Sequence, residues 1–181
     1  MVIRREWAMP NSNTFSIQPI RQIIEKYKAG VTVDPFANTN KIATITNDLN
    51  PDYDTDYHMD ATDFLQMLDD ESVDTVLYDP PYSPRQVAEC YKQFGKTVNM
   101  ETTQASYWSK QKDEIERITR FGGYCITCGW NSGGIGIKHG FEIVEILIVA
   151  HGGWHNDTIV TVEKKVSDGK QMSIFGAGDA T

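Results

Sequence analysis

The sequence predicts an α/β fold in which a mostly parallel β-sheet is covered by helices on both faces and ends in an antiparallel hairpin. Short runs rich in β-branched residues alternate with helical stretches, which is the pattern of strand–helix–strand units. Three predicted strands run into an aspartate. The last two apolar runs flank a turn-rich segment, HGGWHND at residues 151–157, which indicates the hairpin.

Apolar spacing and turn residues place the elements in order along the chain. Ile20, Ile23 and Ile24 fall at helical spacing, and Gly30 follows as a stop signal. Two tandem prolines end the central strand, because proline cannot continue a sheet ladder. The predicted helices are residues 18–28, 62–68, 84–94 and 106–120. The predicted strands are residues 31–33, 42–45, 73–78, 124–128, 141–149 and 158–163, with polar connections at 49–59, 95–104 and 132–140.

A chain of 181 residues suits one domain, residues 1–181, with one sizeable core. No apolar run approaches the roughly 20 residues of a membrane span, and the start of the chain lacks the apolar stretch of a signal peptide. Three cysteines cannot all pair, so a reducing, cytoplasmic setting is expected. The tail at 167–181 is polar and is expected to be flexible.

The formal net charge of −8 argues against tight, unaided binding to a phosphate backbone. Many of the acids lie between Asp48 and Asp74, whereas the basic residues are scattered. Net charge does not exclude a local basic patch. We therefore expect weak, salt-sensitive binding to nucleic acid.

Aspartates follow three predicted strands. Asp34, Asp48 and Asp79 should meet at the carboxyl edge of the sheet, where open α/β sheets bind their ligands. An aspartate after a strand is also common as a helix cap, so each residue taken alone has a structural reading.

The segment Asp79-Pro80-Pro81-Tyr82 carries the strongest chemical signal. An exocyclic amino nitrogen of a nucleobase is a poor nucleophile, because its lone pair is delocalised into the ring. A carboxylate and a neighbouring backbone carbonyl can accept both N–H hydrogens and favour tetrahedral geometry. Asp79 and the Pro80 carbonyl are suitably adjacent, Pro81 makes the turn rigid, and Tyr82 offers a face for an extruded base. The alternative is a Pro-Pro turn with Tyr82 packed on it.

This segment resembles the catalytic motif of the DPPY-type amino-methyltransferases, which modify adenine N6 or cytosine N4 in DNA. The order of elements agrees from about residue 7 to 165, and the small adenine methylases of phages and prophages are the most similar in form. The resemblance implies a Rossmann-like, class I S-adenosylmethionine-dependent methyltransferase fold. It also implies S-adenosylmethionine as cofactor and double-stranded DNA as partner.

The resemblance also implies a set of cofactor-binding residues. Residues 7–28 match the segment that flanks the cofactor, and Asp34-Pro35-Phe36 matches the loop after the first strand of that family. Both glycines of that loop are replaced here, by Asn38 and Asn40; asparagine is the next-best residue for positive φ, so we expect the loop conformation to be kept. The implied cofactor-binding residues are Thr14, Phe15, Ile17, Asp34, Pro35, Phe36, Asp48, Asp60 and Ala61.

The chain has no room for the separate target-recognition region of larger family members. Base selection would then rest on the loops 83–104, 132–140 and 151–157. Arg85, Lys92 and Lys96 are the basic residues nearest the catalytic motif and are predicted to contact phosphate, the alternative being a solvated helix face. A homodimer or a partner subunit would supply extra surface.

We predict no metal site. Cys125 and Cys128 have CxxC spacing, but residues three apart on a strand point to opposite faces. His151 and His155 flank a Gly-Gly turn and are interpreted as a hairpin tip.

The leading hypothesis is a DNA adenine-N6 methyltransferase. Cytosine N4, RNA adenine or a peptide amide are alternative targets within the same chemistry. A catalytically silent, partner-binding protein of the same fold is the alternative of a different class.

Overall fold

The computed structural model describes residues 1–95 and 106–169. Most of the predicted loop 95–104, Lys96 and the tail beyond residue 169 lie outside this part of the chain. The strands are β1 (Val2–Trp7), β2 (Thr32–Asp34), β3 (Ile45–Thr46), β4 (Val73–Tyr78), β5 (Thr119–Gly129), β6 (Phe141–Ala150) and β7 (Thr158–Lys165). These seven strands form one mixed sheet in the order β1-β6-β7-β5-β4-β2-β3. The helices are α1 (Gln18–Tyr27), α2 (Ala61–Gln66), α3 (Pro84–Gln93) and α4 (Ser106–Ile118).

The α/β prediction is confirmed, and helices lie on both faces of the sheet. On one face, α1 buries Ile20, Ile23 and Ile24 against apolar residues of β4 to β7. On the other face, α2 and α4 pack against β2, β4 and β5. Among the described residues, no helix is long and apolar enough to cross a membrane.

The predicted antiparallel hairpin is present as β6 and β7, and β7 lies inside the sheet, antiparallel to both β5 and β6. The edge is formed by β1, which pairs in parallel with β6 and was not predicted. An edge strand with both faces partly exposed carries no hydrophobic alternation, and VIRREW shows none.

Two strand boundaries also differ from prediction. β3 contains only Ile45–Thr46, because Ile42 and Ala43 pack beside α1 without entering a ladder. β5 begins at Thr119, directly after α4, and not at residue 124. Thr119 pairs with Val73 and Tyr124 with Thr75, so residues 120–123 form an irregularity within the strand, and residues 119 and 120, predicted as the end of the helix, belong to β5.

Candidate active site

The three strand-end aspartates converge at the carboxyl edge of β2, β3 and β4, as predicted. Asp34 is buried, its Oδ1 accepts a hydrogen bond from the Phe36 backbone N–H at 3.0 Å, and its Oδ2 has no hydrogen-bond partner among the described residues. Burial raises the pKa of Asp34 well above its usual value, and the negative charges of Asp79 and Asp48 raise it further. Burial thus favours the protonated form of Asp34, which lines neither of the two cofactor-side cavities.

The loop after β2 matches the expected conformation at one of its two asparagines. Asn38 has a φ of +52°, a left-handed position that asparagine tolerates, whereas Asn40 does not have a positive φ. The Asn38 N–H donates to Asp48 Oδ2 at 2.9 Å, and the Asn50 N–H donates to Asp48 Oδ1 at 2.8 Å. Asp48 thus fixes two loops, and an ionised carboxylate with about four acceptor positions keeps capacity for a ligand.

The N-terminal segment lies over this loop. A 3₁₀ turn at Thr14–Ser16 precedes α1, and Asn13 Oδ1 accepts a hydrogen bond from Asn40 Nδ2 at 3.3 Å. Thr14 and Phe15 line the central cavity. Ile17 does not line it: this side chain is buried in the core beneath α1.

Two adjoining cavities occupy this side of the site. The central cavity, of about 260 Å³, is lined by loop and strand-end residues that include Asn38, Asp48 and Asp79. The second, of about 60 Å³, is mostly apolar. Phe36, Asp48 and Pro81 line both, so the cavities are neighbours with a carboxylate at their junction. The second cavity is lined by Pro35, Phe36, Asp48, Leu49, Met59, Asp60, Ala61, Pro81, Cys90, Tyr91 and Tyr107.

Asp60 and Ala61 lie in the second cavity wall, at the start of α2. Asp60 is the N-cap of this helix, and its Oδ1 accepts a hydrogen bond from the Thr62 N–H at 2.9 Å. Its Oδ2 accepts one from the Tyr91 hydroxyl of α3. Asp60 therefore has the structural role of a helix cap and also faces a cavity.

The segment Asp79–Tyr82 separates the central cavity from a third one. Asp79 is partly buried, and its Oδ1 accepts a hydrogen bond from the Tyr82 hydroxyl. Burial raises the pKa of Asp79, and the hydroxyls of Tyr82 and Thr14 beside the carboxylate oppose that rise. The Pro81 carbonyl accepts a hydrogen bond from Trp108 Nε1 at 3.0 Å, which ties the motif to α4.

The third cavity, of about 310 Å³, lies on the far side of this segment. Pro80, Pro81 and Tyr82 line both it and the central cavity. The Tyr82 ring meets the ring of Trp130 edge-on, with centroids 5.5 Å apart, and Trp130 is 45% exposed. Sequence reasoning missed four side chains of this wall: Trp108, Lys112, Trp130 and Asn131. In the sequence, Trp130 and Asn131 come shortly after the predicted strand 124–128, and this position at a strand end could have indicated that they belong to the site.

A glycine-rich loop forms part of the third cavity and is anchored from below. The buried carboxylate of Glu163 accepts hydrogen bonds from the N–H groups of Ile135, at 2.6 Å, and Gly136, at 2.9 Å. Gly134 has a φ of +50°, and a Cβ there would lie 2.2 Å from Glu163 Oε2, so glycine is required. Burial raises the pKa of Glu163, while these two N–H groups lower it.

The basic residues near the motif lie on the outer surface of α3. Arg85 is 86% exposed, and its Nε donates to Glu89 at 2.8 Å. Lys92 is exposed near the end of the same helix, and Lys96 lies outside the described residues. The Arg85–Glu89 pair is typical of a solvated helix face, so phosphate contact by these residues stays a prediction.

Cys125 and Cys128 point to opposite faces of the sheet, as predicted. Cys125 packs on the α4 face of the sheet and Cys128 on the α1 face. Within residues 1–95 and 106–169, no cluster of potential metal ligands occurs. His151 is buried at the end of β6, where its nitrogens contact the Ala8 carbonyl and the Thr158 hydroxyl, each at 2.8 Å.

Solved structures share this architecture. One is the 1,6-didemethyltoxoflavin-N1-methyltransferase of Burkholderia thailandensis, crystallised with 1,6-didemethyltoxoflavin and S-adenosylhomocysteine. It is 11% identical in sequence, the match covers 82% of this chain and 76% of that chain, and the TM-score is 0.54. Another is TrmN from Thermus thermophilus, which is 16% identical; the match covers 82% of this chain and 48% of that chain, with a TM-score of 0.53. The fold is that of the class I S-adenosylmethionine-dependent methyltransferases.

These likenesses confirm the predicted fold class. This chain spans about half the length of TrmN. No family model matches the sequence, and no curated protein matches it. At these sequence identities the comparisons establish the fold, and the site's chemistry rests on its own residues.

Proposed function

We propose that the protein transfers a methyl group from S-adenosylmethionine to the exocyclic amino group of a nucleobase, N6 of adenine in DNA. One observation carries the proposal: the segment Asp79–Tyr82 forms the wall between an acidic cavity suited to the cofactor and an aromatic cavity suited to a base. Asp79 lines the cofactor-side cavity and Pro80 to Tyr82 line both, so the carboxylate lies where a methyl donor and an amine entering from the third cavity would meet.

The residues on the cofactor side fit S-adenosylmethionine. Its sulfonium and amino groups are cationic, and the carboxylate of Asp48, which lines both cofactor-side cavities, supplies a complementary charge. Asp48 lies at the junction of the two cavities, where its remaining acceptor positions suit ribose hydroxyls. The apolar second cavity suits an adenine ring. The methyltransferase of Burkholderia thailandensis was crystallised with S-adenosylhomocysteine, which supports the use of S-adenosylmethionine by a protein of this fold.

The chain's own residues account for activation of the amine. S-adenosylmethionine supplies the electrophilic methyl group. The Asp79 carboxylate has acceptor positions beyond the one that the Tyr82 hydroxyl occupies. It can therefore accept a hydrogen bond from one N–H of the target amine, while the Pro80 carbonyl accepts a hydrogen bond from the other. The Trp108–Pro81 hydrogen bond and the two prolines hold this geometry in place before the target arrives.

Aromatic residues on the target side suit a base removed from a stack. Tyr82, Trp108 and Trp130 line one cavity with the half-buried Lys112 and the exposed Asn131. Base–aromatic stacking contributes about 1–3 kcal/mol per base, which offsets part of the cost of unstacking.

The test is transfer of tritium from labelled S-adenosylmethionine to double-stranded DNA, single-stranded DNA and RNA, followed by identification of the labelled nucleoside. The expected product is N6-methyldeoxyadenosine. Label in N4-methylcytosine or in RNA adenine would correct the target and keep the chemistry. No label in any nucleic acid, with cofactor binding intact by calorimetry, would contradict the proposal and favour a partner-binding role.

A second candidate, methylation of a free heterocycle, is favoured by the charge. The net charge is −8, and Arg85 on α3 is already paired with Glu89. The toxoflavin methyltransferase of the same fold, with 76% of its length matched, is a small-molecule enzyme. Free adenine and adenosine therefore belong in the same assay; label in them alone would select this candidate.

A further inference from the structure

The outer edge of β1 carries the pattern of a pairing surface. β1 is an edge strand: it pairs with β6 on one side, and no described strand lies on the other. An unblocked edge is a template for a further strand. Ile3 and Trp7, on one face of β1, are 60% and 65% exposed. Neither a proline nor a bulge interrupts the strand between them.

The direction of the β1 backbone groups follows from one hydrogen bond. The Ala8 N–H donates to the Ala150 carbonyl of β6 at 3.1 Å. Because strand residues alternate, the N–H and C=O groups of Glu6 and Arg4 also point toward β6. Those of Ile3, Arg5 and Trp7 therefore point outward, away from the sheet.

The inner side of β1 is fixed, so its outer edge is presented in a defined position. Arg4 Nε donates to the buried Glu145 carboxylate of β6 at 2.6 Å, and Lys26 of α1 donates to the same carboxylate at 2.5 Å. Burial alone would raise the pKa of Glu145, but these bonds and that from Tyr27 lower it to about 2. β1 is thus held by charged hydrogen bonds as well as by its ladder.

We propose that β1 pairs antiparallel with β1 of a second copy of this chain, about a two-fold axis at Arg5, so that two sheets become one. Residues whose backbone N–H and C=O groups point outward must lie opposite residues of the same kind in the partner strand. Odd-numbered residues of one β1 therefore pair with odd-numbered residues of the other. The register centred on Arg5 gives the longest overlap within Val2–Ala8. It places Ile3 opposite the partner's Trp7 and Arg4 opposite the partner's Glu6, twice each.

This register is complementary in both apolar and charged pairs. Ile3 and Trp7 cover one another on one face, a favourable cross-strand pair. On the other face Arg4 and Glu6 of each copy form an ion pair of 2.9 Å, and the two pairs lie against one another in opposite order, so that unlike charges adjoin. The Arg5–Arg5 pair at the axis is unfavourable and limits the affinity. A short strand pair buries less than a permanent dimer interface, so the dissociation constant is expected at about 1–100 µM. The inference is independent of the methyltransferase proposal.

Sedimentation velocity of the full chain from about 1 to 200 µM tests the pairing. The wild type is expected to dimerise. Arg5→Pro removes an outward N–H and leaves the β1–β6 ladder intact, so dimerisation should weaken at least tenfold. Arg5→Ala keeps the N–H and removes the repulsion, and it should dimerise at least as tightly as the wild type. A wild type that stays monomeric, or equal dimerisation of the proline and alanine variants, overturns the proposal.

Cysteine crosslinking tests the register without a proline. In a hydrogen-bonded antiparallel pair the Cα atoms are about 5.5 Å apart, within disulfide range. Arg5→Cys should crosslink with itself under mild oxidation. Ile3→Cys and Trp7→Cys should each crosslink poorly alone, because identical positions lie roughly 13 Å apart, but efficiently when mixed. The wild type, in which Cys125 and Cys128 are buried and Cys90 is partly exposed, is the control for crosslinking through the native cysteines. Efficient crosslinking of Ile3→Cys alone would overturn the register.

Discussion

The two sides of Asp79–Tyr82 are built in different ways. The cofactor side is formed by strand ends and the loops that directly follow them, with Asp48 binding two backbone N–H groups. The target side is formed by side chains from α4 and from the loop after β5, such as Trp108 and Trp130. Backbone geometry fixes the first side, whereas side-chain packing fixes the second. Mutations should therefore separate the two sides cleanly.

The largest effect is expected at the boundary itself. Asp79→Ala removes the acceptor of the target amine, so the rate of methyl transfer should fall by at least roughly 10²–10³-fold. Cofactor affinity by calorimetry should stay within a few-fold, because the role of Asp79 lies with the target. Asp69→Ala, an exposed aspartate, is the control. Turnover at the wild-type rate in Asp79→Ala would refute the assignment of Asp79.

A purely cofactor-side effect is expected from Asp48→Ala. Loss of charge-assisted hydrogen bonds should weaken S-adenosylmethionine binding by about 1–3 kcal/mol in calorimetry. Asp56→Ala is the matched control, because Asp56 also binds a strand end, through the N–H and hydroxyl of Thr46, but does not line either cofactor-side cavity. Equal losses in both variants would mean that Asp48 acts only on loop structure.

A purely target-side effect is expected from Trp130→Ala. Loss of stacking worth about 1–3 kcal/mol should raise the KM for the nucleic acid roughly 5- to 150-fold and leave cofactor affinity unchanged. Trp154→Ala, at a fully exposed tryptophan, is the control and should change neither. If Trp130→Ala instead weakens cofactor binding, the third cavity is not a target site.

This difference between the sides also explains what the sequence predicted. Asp34, Asp48 and Asp79 follow strands, and the carboxyl ends of parallel strands meet, so their convergence could be inferred from order alone. Trp108 and Trp130 are 22 residues apart on different elements, and no local pattern brings them together. Ile17, implied by resemblance, is a core residue because α1 buries it. Edge strand β1 was missed because mixed exposure leaves no periodicity.

The pH dependence of stability tests the acidic character of the cofactor side. Asp34 has a pKa raised by burial, then by Asp79 and Asp48, so the protonated form is favoured in the folded state. The protonated carboxyl of Asp34 therefore favours the folded state at low pH, and this contribution to the free energy of unfolding is lost as the pH rises through the raised pKa. Asp34→Asn, without cofactor, should therefore increase the free energy of unfolding relative to wild type, more at pH 8 than at pH 5, by urea titration. A pH-independent difference would show that Asp34 is not titrating as inferred.

The smallest effect concerns α3, where the charge of Arg85 is already neutralised by Glu89. Glu89→Gln should free the guanidinium. If α3 faces the phosphates, the slope of log affinity against log salt should become steeper by about 0.9, the contribution of one added phosphate contact. Glu25→Gln, which breaks the equivalent Arg21–Glu25 pair on α1, should leave the slope unchanged. An unchanged slope in Glu89→Gln would mean that the phosphate contacts lie elsewhere on the protein.

Lys165 cannot supply these contacts, because its buried ammonium donates to the Glu116 and Thr119 carbonyls. The half-exposed Lys164 would therefore be the next residue to vary.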